Sequence, residues 1–230
     1  AFPAELGRIV QIVSEPMAGE IRLQWWRDAL ETMARDEGLG HPLADALAGA
    51  VRRHRLPITL LQSLIDARSV ELGIDPASDQ DALGMYLDAA EGAVFRLWLR
   101  VLGVNDRSHL DGMVSAAARG YGIARRPGRL LLALHAPELS LPVPQAGKMQ
   151  ALPAEARDAL AALRKEARAA LLAVRSGLEP EYLPAFLPLV MVEPYLRAQE
   201  RMPDPLHHVA DVVPLARVSR IWWAHARGRI

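Results

Sequence analysis

Apolar residues recur at i, i+3, i+4 and i+7 along most of the chain, while alternating runs of the strand type are scarce. That periodicity predicts helices throughout. One window runs from about Gly19 to Asp36 and is closed by Gly38 and Gly40. Pro42 opens a second, with Leu43, Ala46, Leu47 and Ala50 on one face. Pro57 opens a third, with Leu60, Leu61, Leu64 and Ile65 inward, ending near Gly73. The stretch Asp79 to Asp81 caps a long helix through Tyr86, Val94, Phe95, Trp98 and Val101, and Gly103 stops it. Asn105 or Ser108 starts another, through Met113, Ala117 and Ile123, which Pro127 and Gly128 interrupt. Pro137, Pro142, Pro144 and Gly147 mark 136–149 as a loop. Pro153 begins the clearest helix, 153–175, with its Ala/Leu stripe inward and Arg164, Lys165, Glu166 and Arg168 outward. A shorter helix covers 186–196, and a last one, 212–226, carries Trp222 and Trp223. The expectation is one all-α domain over residues 1–230, with about eight helices.

Composition supports a folded core, since 51% of the 230 residues are hydrophobic. The 27 basic and 27 acidic residues cancel, which argues against nucleic acid as a partner. Lys148 and Lys165 are the only lysines, and alanine is abundant. This matches the coding bias of a GC-rich bacterium, so the arginine content alone says little about phosphate binding. The absence of cysteine excludes disulfides, zinc–thiolate sites and thiol chemistry. No run reaches the roughly 18–20 apolar residues needed to cross a bilayer, and no signal peptide is visible. The expected location is cytoplasmic, with contact to the inner membrane limited to its periphery. The chain opens at Ala1 without a methionine, so a natural segment ahead of it is expected.

Several constellations could carry chemistry. Trp25-Trp26 and Trp222-Trp223 are adjacent pairs, so each splits across two helix faces, with one ring packed and the other half-exposed. Glu20 and Arg27 flank the first pair and are expected to form an ion pair. The acidic pairs at i, i+4 are Glu71 with Asp75, Asp75 with Asp79, and Glu200 with Asp204. Each lies beside a glycine or proline, as solvated loop charges do. Asp88 and Glu91, in a mostly apolar helix, are the better ligand candidates. Arg125, Arg126 and Arg129 form a compact basic group that could hold a diphosphate without metal, although a solvated face is the plainer reading. His207-His208 reads as surface rather than a metal site, because adjacent residues on a helix do not face one ion. No glycine-rich phosphate loop or Ser-His-Asp signature is present.

The run Glu20-Ile21-Arg22-Leu23-Gln24-Trp25-Trp26-Arg27-Asp28 resembles a segment of the squalene/phytoene synthase family. Weaker matches follow in order: Ala1-Phe2 through Val10, Ser14-Glu15-Pro16-Met17, Leu64-Ile65-Asp66-Ala67-Arg68, Tyr86 through Glu91-Gly92, and Gly120-Tyr121-Gly122-Ile123-Ala124-Arg125. The tail around Leu215 and Trp222-Trp223 also fits. The resemblance implies an isoprenoid synthase-like helical bundle around a central hydrophobic cavity. The family's chemistry expels diphosphate, which magnesium neutralises while held by carboxylates one helical turn apart. The resemblance puts the first acidic motif on Gly7 and Gln11, with Arg8 between them. It puts the second at Arg125-Arg126-Pro127-Gly128-Arg129, with no carboxylate before Glu138.

The branch that keeps the tryptophan run without either aspartate motif resembles the mitochondrial complex I assembly factors and their bacterial relatives. That implies a non-catalytic binding or assembly protein, with a prenyl or other lipid as ligand and a respiratory-complex subunit as partner. No cofactor is expected. The alternative is an active head-to-head prenyl transferase using displaced acidic ligands and magnesium, and a third reading is a helical lipid carrier. On any of these readings, the candidate ligand-binding residues are Glu20, Trp26, Asp88, Glu91, Tyr121, Arg125 and Arg126; no catalytic or metal-binding residue is assigned.

Overall fold

The computed structural model describes residues 1–13, 15–34, 39–73, 81–104, 108–139, 141 and 152–230. Among these residues the chain is helical and contains no strand, as the apolar periodicity requires.

The first four helices are α1 (Phe2–Ile12), α2 (Pro16–Ala34), α3 (Pro42–His54) and α4 (Ile58–Glu71). Helix α1 buries Phe2, Leu6 and Ile9. Helix α2 buries Leu23, Trp26, Leu30 and Met33, a single stripe at helical spacing. Helix α3 starts at Pro42, where the missing N–H costs nothing, and the His41 ring accepts from the Ala44 N–H at 3.3 Å. It ends at Arg55, in the left-handed region at φ 49°. The inner side of α4 carries Leu61, Leu64, Ile65 and Arg68.

The next rod is α5 (Ala82–Leu87), a π turn (Asp88–Gly92) and α6 (Ala93–Val101). Asp81 caps it, its carboxylate accepting from the Gly84 N–H at 3.1 Å. Gly103, at φ 84°, ends it. Then come α7 (Asp111–Arg125), α8 (Gly128–His135), α9 (Ala154–Gly177), α10 (Leu183–Phe186), a 3-10 turn (Leu187–Met191), α11 (Val192–Arg201) and α12 (Pro214–Arg227). The bundle thus has more segments than the sequence suggests. Pro188 and Pro194 each lie in the first turn of a new segment within the stretch expected as one run over 186–196.

Two apolar cores share helix α6. Ala93, Val94 and Leu97 face the core built by α1 to α4. Phe95 and Leu99 face the larger core of α5 and α7 to α11, where Phe95 stacks on Phe186 at 5.4 Å between centroids. Helices α7 and α9 pack closely because Gly120 has no side chain. A Cβ there would come within 3.3 Å of the Ala167 carbonyl oxygen. Helix α7 therefore runs through the middle of the bundle and ends where α4 and the π turn meet it.

Candidate functional site: a buried ion network

Pro127 ends helix α7. A residue before proline is pushed out of the helical region, and Arg126 accordingly takes an extended backbone at φ −100°, ψ 150°. Its guanidinium enters the junction of α4 and the π turn. Nη2 donates to Glu91 Oε1 at 2.6 Å, and Nη1 lies 3.2 Å from Glu71 Oε1. Glu71 also accepts from the Tyr86 hydroxyl at 2.7 Å and pairs with Arg68 one turn back on α4. The side chains of Arg126, Glu71 and Glu91 are only 13%, 10% and 12% exposed, so water screens these charges poorly. The Arg126 guanidinium also lies 5.6 Å from the Tyr86 ring centroid.

The network is electrically balanced, with Arg68 and Arg126 opposing Glu71 and Glu91. Burial works against the Arg126 charge, but the two carboxylates outweigh it and raise its pKa. Burial, reinforced by Glu71, pushes the Tyr86 hydroxyl well above its ordinary range despite the opposing arginines. Beside this network, Arg125 lies between two rings, 5.5 Å from the Tyr121 centroid and 5.4 Å from that of Tyr195. It donates to the Tyr121 hydroxyl at 3.1 Å and meets no carboxylate at ion-pair distance among the described residues. Burial raises the Tyr121 hydroxyl as well.

The candidates from sequence fall into separate places. Glu91, Tyr121, Arg125 and Arg126 come together at the end of α7. Asp88 does not join them. The π turn carries the Ala93 N–H to the Asp88 carbonyl five residues back, and the wider turn rotates the two acids apart. Asp88 pairs with Arg96 at 2.9 and 3.0 Å and accepts from Ser115 at 3.3 Å. It stands on the wall of a cavity of about 570 Å3, with Leu60, Ser63, Met85, Arg96 and Arg119.

Glu20 and Trp26 both lie on α2, and Trp26 belongs to the first core. Glu20 accepts from Arg27 at 2.6 Å and from Ser69 at 2.8 Å, so the expected ion pair is present. Trp26 is buried against Phe2, with centroids 5.0 Å apart, while Trp25 is exposed, as their adjacency requires. Trp222 and Trp223 depart from that expectation, since both are exposed.

Two further readings are corrected. Arg126 is not part of a solvated basic face, and Glu71 is not a loop charge. Both are buried because Pro127 redirects one and the inner stripe of α4 carries the other. Asp75 and Asp79 lie outside the described residues. Tyr86 and Arg68 also belong to the network. The signal for Arg68 and Glu71 was their spacing from Leu64, which continues the buried stripe of α4.

Magnesium does not fit this arrangement. Both carboxylates already accept from guanidinium groups. The buried atoms left without a hydrogen-bond partner among the described residues are Arg68 Nε and Arg126 Nε. These are N–H donors that suit an acceptor, not a cation. At the expected first motif, Gln11 is exposed, Gly7 faces nothing within 4 Å, and Arg8 pairs with Glu5 at 2.8 Å.

An all-α bundle whose central helix ends on this network can be placed among known proteins. The sequence model of squalene/phytoene synthase matches residues 1–126, from α1 to the network arginine, and the chain belongs to that family. Among curated proteins it is similar to the protein named NADH dehydrogenase (ubiquinone) complex I, assembly factor 6. The Mus musculus protein is 34% identical over 123 residues, covering 54% of this chain and 37% of the relative. The Rattus norvegicus and Homo sapiens proteins are 35% and 30% identical over 123 residues, with the same coverage. The matched region thus spans little more than a third of these relatives. No solved structure matches the chain. No helix among the described residues is long and apolar enough to cross a membrane.

Proposed function

We propose that this chain is a non-catalytic member of the family, a binding and assembly protein for a respiratory NADH dehydrogenase complex that works at the membrane periphery. The observation that carries the reading is Arg126, paired with Glu91 at 2.6 Å and facing Glu71 at 3.2 Å. A diphosphate-expelling enzyme needs acidic groups free to hold metal. Here the buried acids at the end of α7 are neutralised by the chain's own guanidinium groups. The relatives' names support the assembly role.

A prenyl lipid ligand belongs to the same proposal. Arg125, between Tyr121 and Tyr195 and with no carboxylate at ion-pair distance among the described residues, is a cation that can meet an anionic head group without metal.

The test is to incubate the protein with farnesyl or geranylgeranyl diphosphate and magnesium and to measure pyrophosphate release. No release is expected from folded protein, with or without chelator. Magnesium-dependent release would overturn the reading in favour of an active prenyl transferase. The assembly role is tested by deleting the gene in its host and quantifying assembled NADH dehydrogenase, with a fall expected. An unchanged level would remove that part of the proposal.

A further inference from the structure

Helix α12 is attached to the bundle along one side. Ala224 is its buried residue, and Ile221 packs against the larger core. The opposite side carries Leu215, Val218 and Trp222 at i, i+3 and i+7, which are 78%, 65% and 62% exposed. Trp223 is 50% exposed and stacks on Trp222, with centroids 5.7 Å apart. The Arg227 guanidinium lies 4.4 Å from the Trp223 ring centroid.

The charge on this segment is one-sided. Residues 212–230 contain Arg217, Arg220, Arg227 and Arg229 but no Asp or Glu. The whole chain is neutral, so residues 1–211 hold the balancing negative excess. Among the described residues, none of these four arginines enters an ion pair with an acid. Helix α2 is a useful contrast. It also exposes an apolar stripe, Met17, Ile21 and Trp25. There, however, Glu20, Asp28 and Glu31 outnumber Arg22 and Arg27. An exposed apolar face on a segment of unopposed positive charge therefore occurs at α12 and not at α2.

We infer that α12 is a docking face for an anionic bilayer surface. Leu215, Val218 and Trp222 enter the boundary between head groups and acyl chains. Arg227, over the Trp223 ring at the edge of that face, meets lipid phosphates, and the net positive charge of residues 212–230 draws the segment to an anionic surface. The indole rings suit this depth because they combine an apolar body with a single N–H donor. This inference rests on the peripheral-membrane part of the proposed function and adds the element and the lipid charge.

The experiment is co-sedimentation of the whole chain with vesicles of phosphatidylcholine alone or of equimolar phosphatidylcholine and phosphatidylglycerol. The wild-type chain is expected to partition onto the anionic vesicles and to be released by salt. Leu215→Ala with Trp222→Ala, and separately Arg227→Gln with Arg229→Gln, should each lower partition on the order of tenfold. These side chains are exposed, so the helical spectrum and melting temperature should stay as in the wild type.

Three results would overturn the inference. Binding that is equal in wild type and variants would place the membrane contact elsewhere and leave the proposed function standing. Failure of the wild type to bind either vesicle would remove the peripheral-membrane reading as well. Self-association in sedimentation that is lost in the Trp222 variant would make a second copy of the chain the occupant of this face.

Discussion

Replacing Arg126 by methionine keeps most of the side chain's volume but strands Glu91 and leaves Arg68 as the one cation paired with Glu71. Breaking a buried pair in this way is expected to cost about 3–5 kcal/mol, read as a lower urea midpoint. Adding Glu91→Leu should recover most of the loss, because the stranded charge leaves with it. A midpoint unchanged in Arg126→Met would mean that the network carries no weight. Tyr86 gives a pH signature of the same network. The folded chain keeps this proton to higher pH than the unfolded chain, whose tyrosine titrates near 10. Its contribution is complete below about pH 10 and is lost as pH rises through the window above. In Tyr86→Phe, unfolding free energy should therefore fall less steeply with pH above about 10. At this scale the sequence was only half legible. Glu20 and Arg27 announce each other on one helix. Arg126 and Glu91, 35 residues apart, meet only because Pro127 sets the backbone between them.

Proline also explains a contact between elements. The Ile123 carbonyl would normally accept from residue 127, which has no N–H. The Ala124 carbonyl would accept from Gly128, whose N–H is committed to the Pro205 carbonyl at 2.8 Å. Gln199 of α11 supplies the missing donor. Its Nε2 lies 3.1 Å from each of the two carbonyls, in a buried setting. Gln199→Leu should therefore cost about 1–3 kcal/mol in chemical denaturation. A Gln199→Leu chain as stable as the wild type would show that these carbonyls find partners elsewhere. Helix starts at Pro42 and Asp81 and the stop at Gly103 were readable, because each is fixed by one residue's own chemistry. The π turn was not readable. Nothing in Asp88-Ala89-Ala90-Glu91-Gly92 departs from ordinary helical pattern, and the turn packs against both α4 and α7.

Across the whole molecule, helical class was legible from periodicity, whereas the order in which helices pack was not. Long-range packing leaves little trace in local spacing. The bundle came instead from the tryptophan run and the weaker stretches that resemble the family. The two tryptophan pairs show the limit of local reasoning. Both are adjacent on helices, yet Trp26 is buried against Phe2, whereas Trp222 meets its neighbour Trp223 and stays exposed. A contrast of that kind depends on neighbours supplied by the fold.

The guanidinium at the end of α7 acts as a counterion built into the chain. A countercharge bonded to the chain cannot be starved, chelated or exchanged for another ion, so the interior is neutral as soon as the chain has folded. Undoing it is harder. A single change of Arg126 to an acid would confront Glu71 and Glu91 with a third carboxylate and leave Arg68 as their one basic neighbour in the network. Such a change should lower the urea midpoint further than Arg126→Met does.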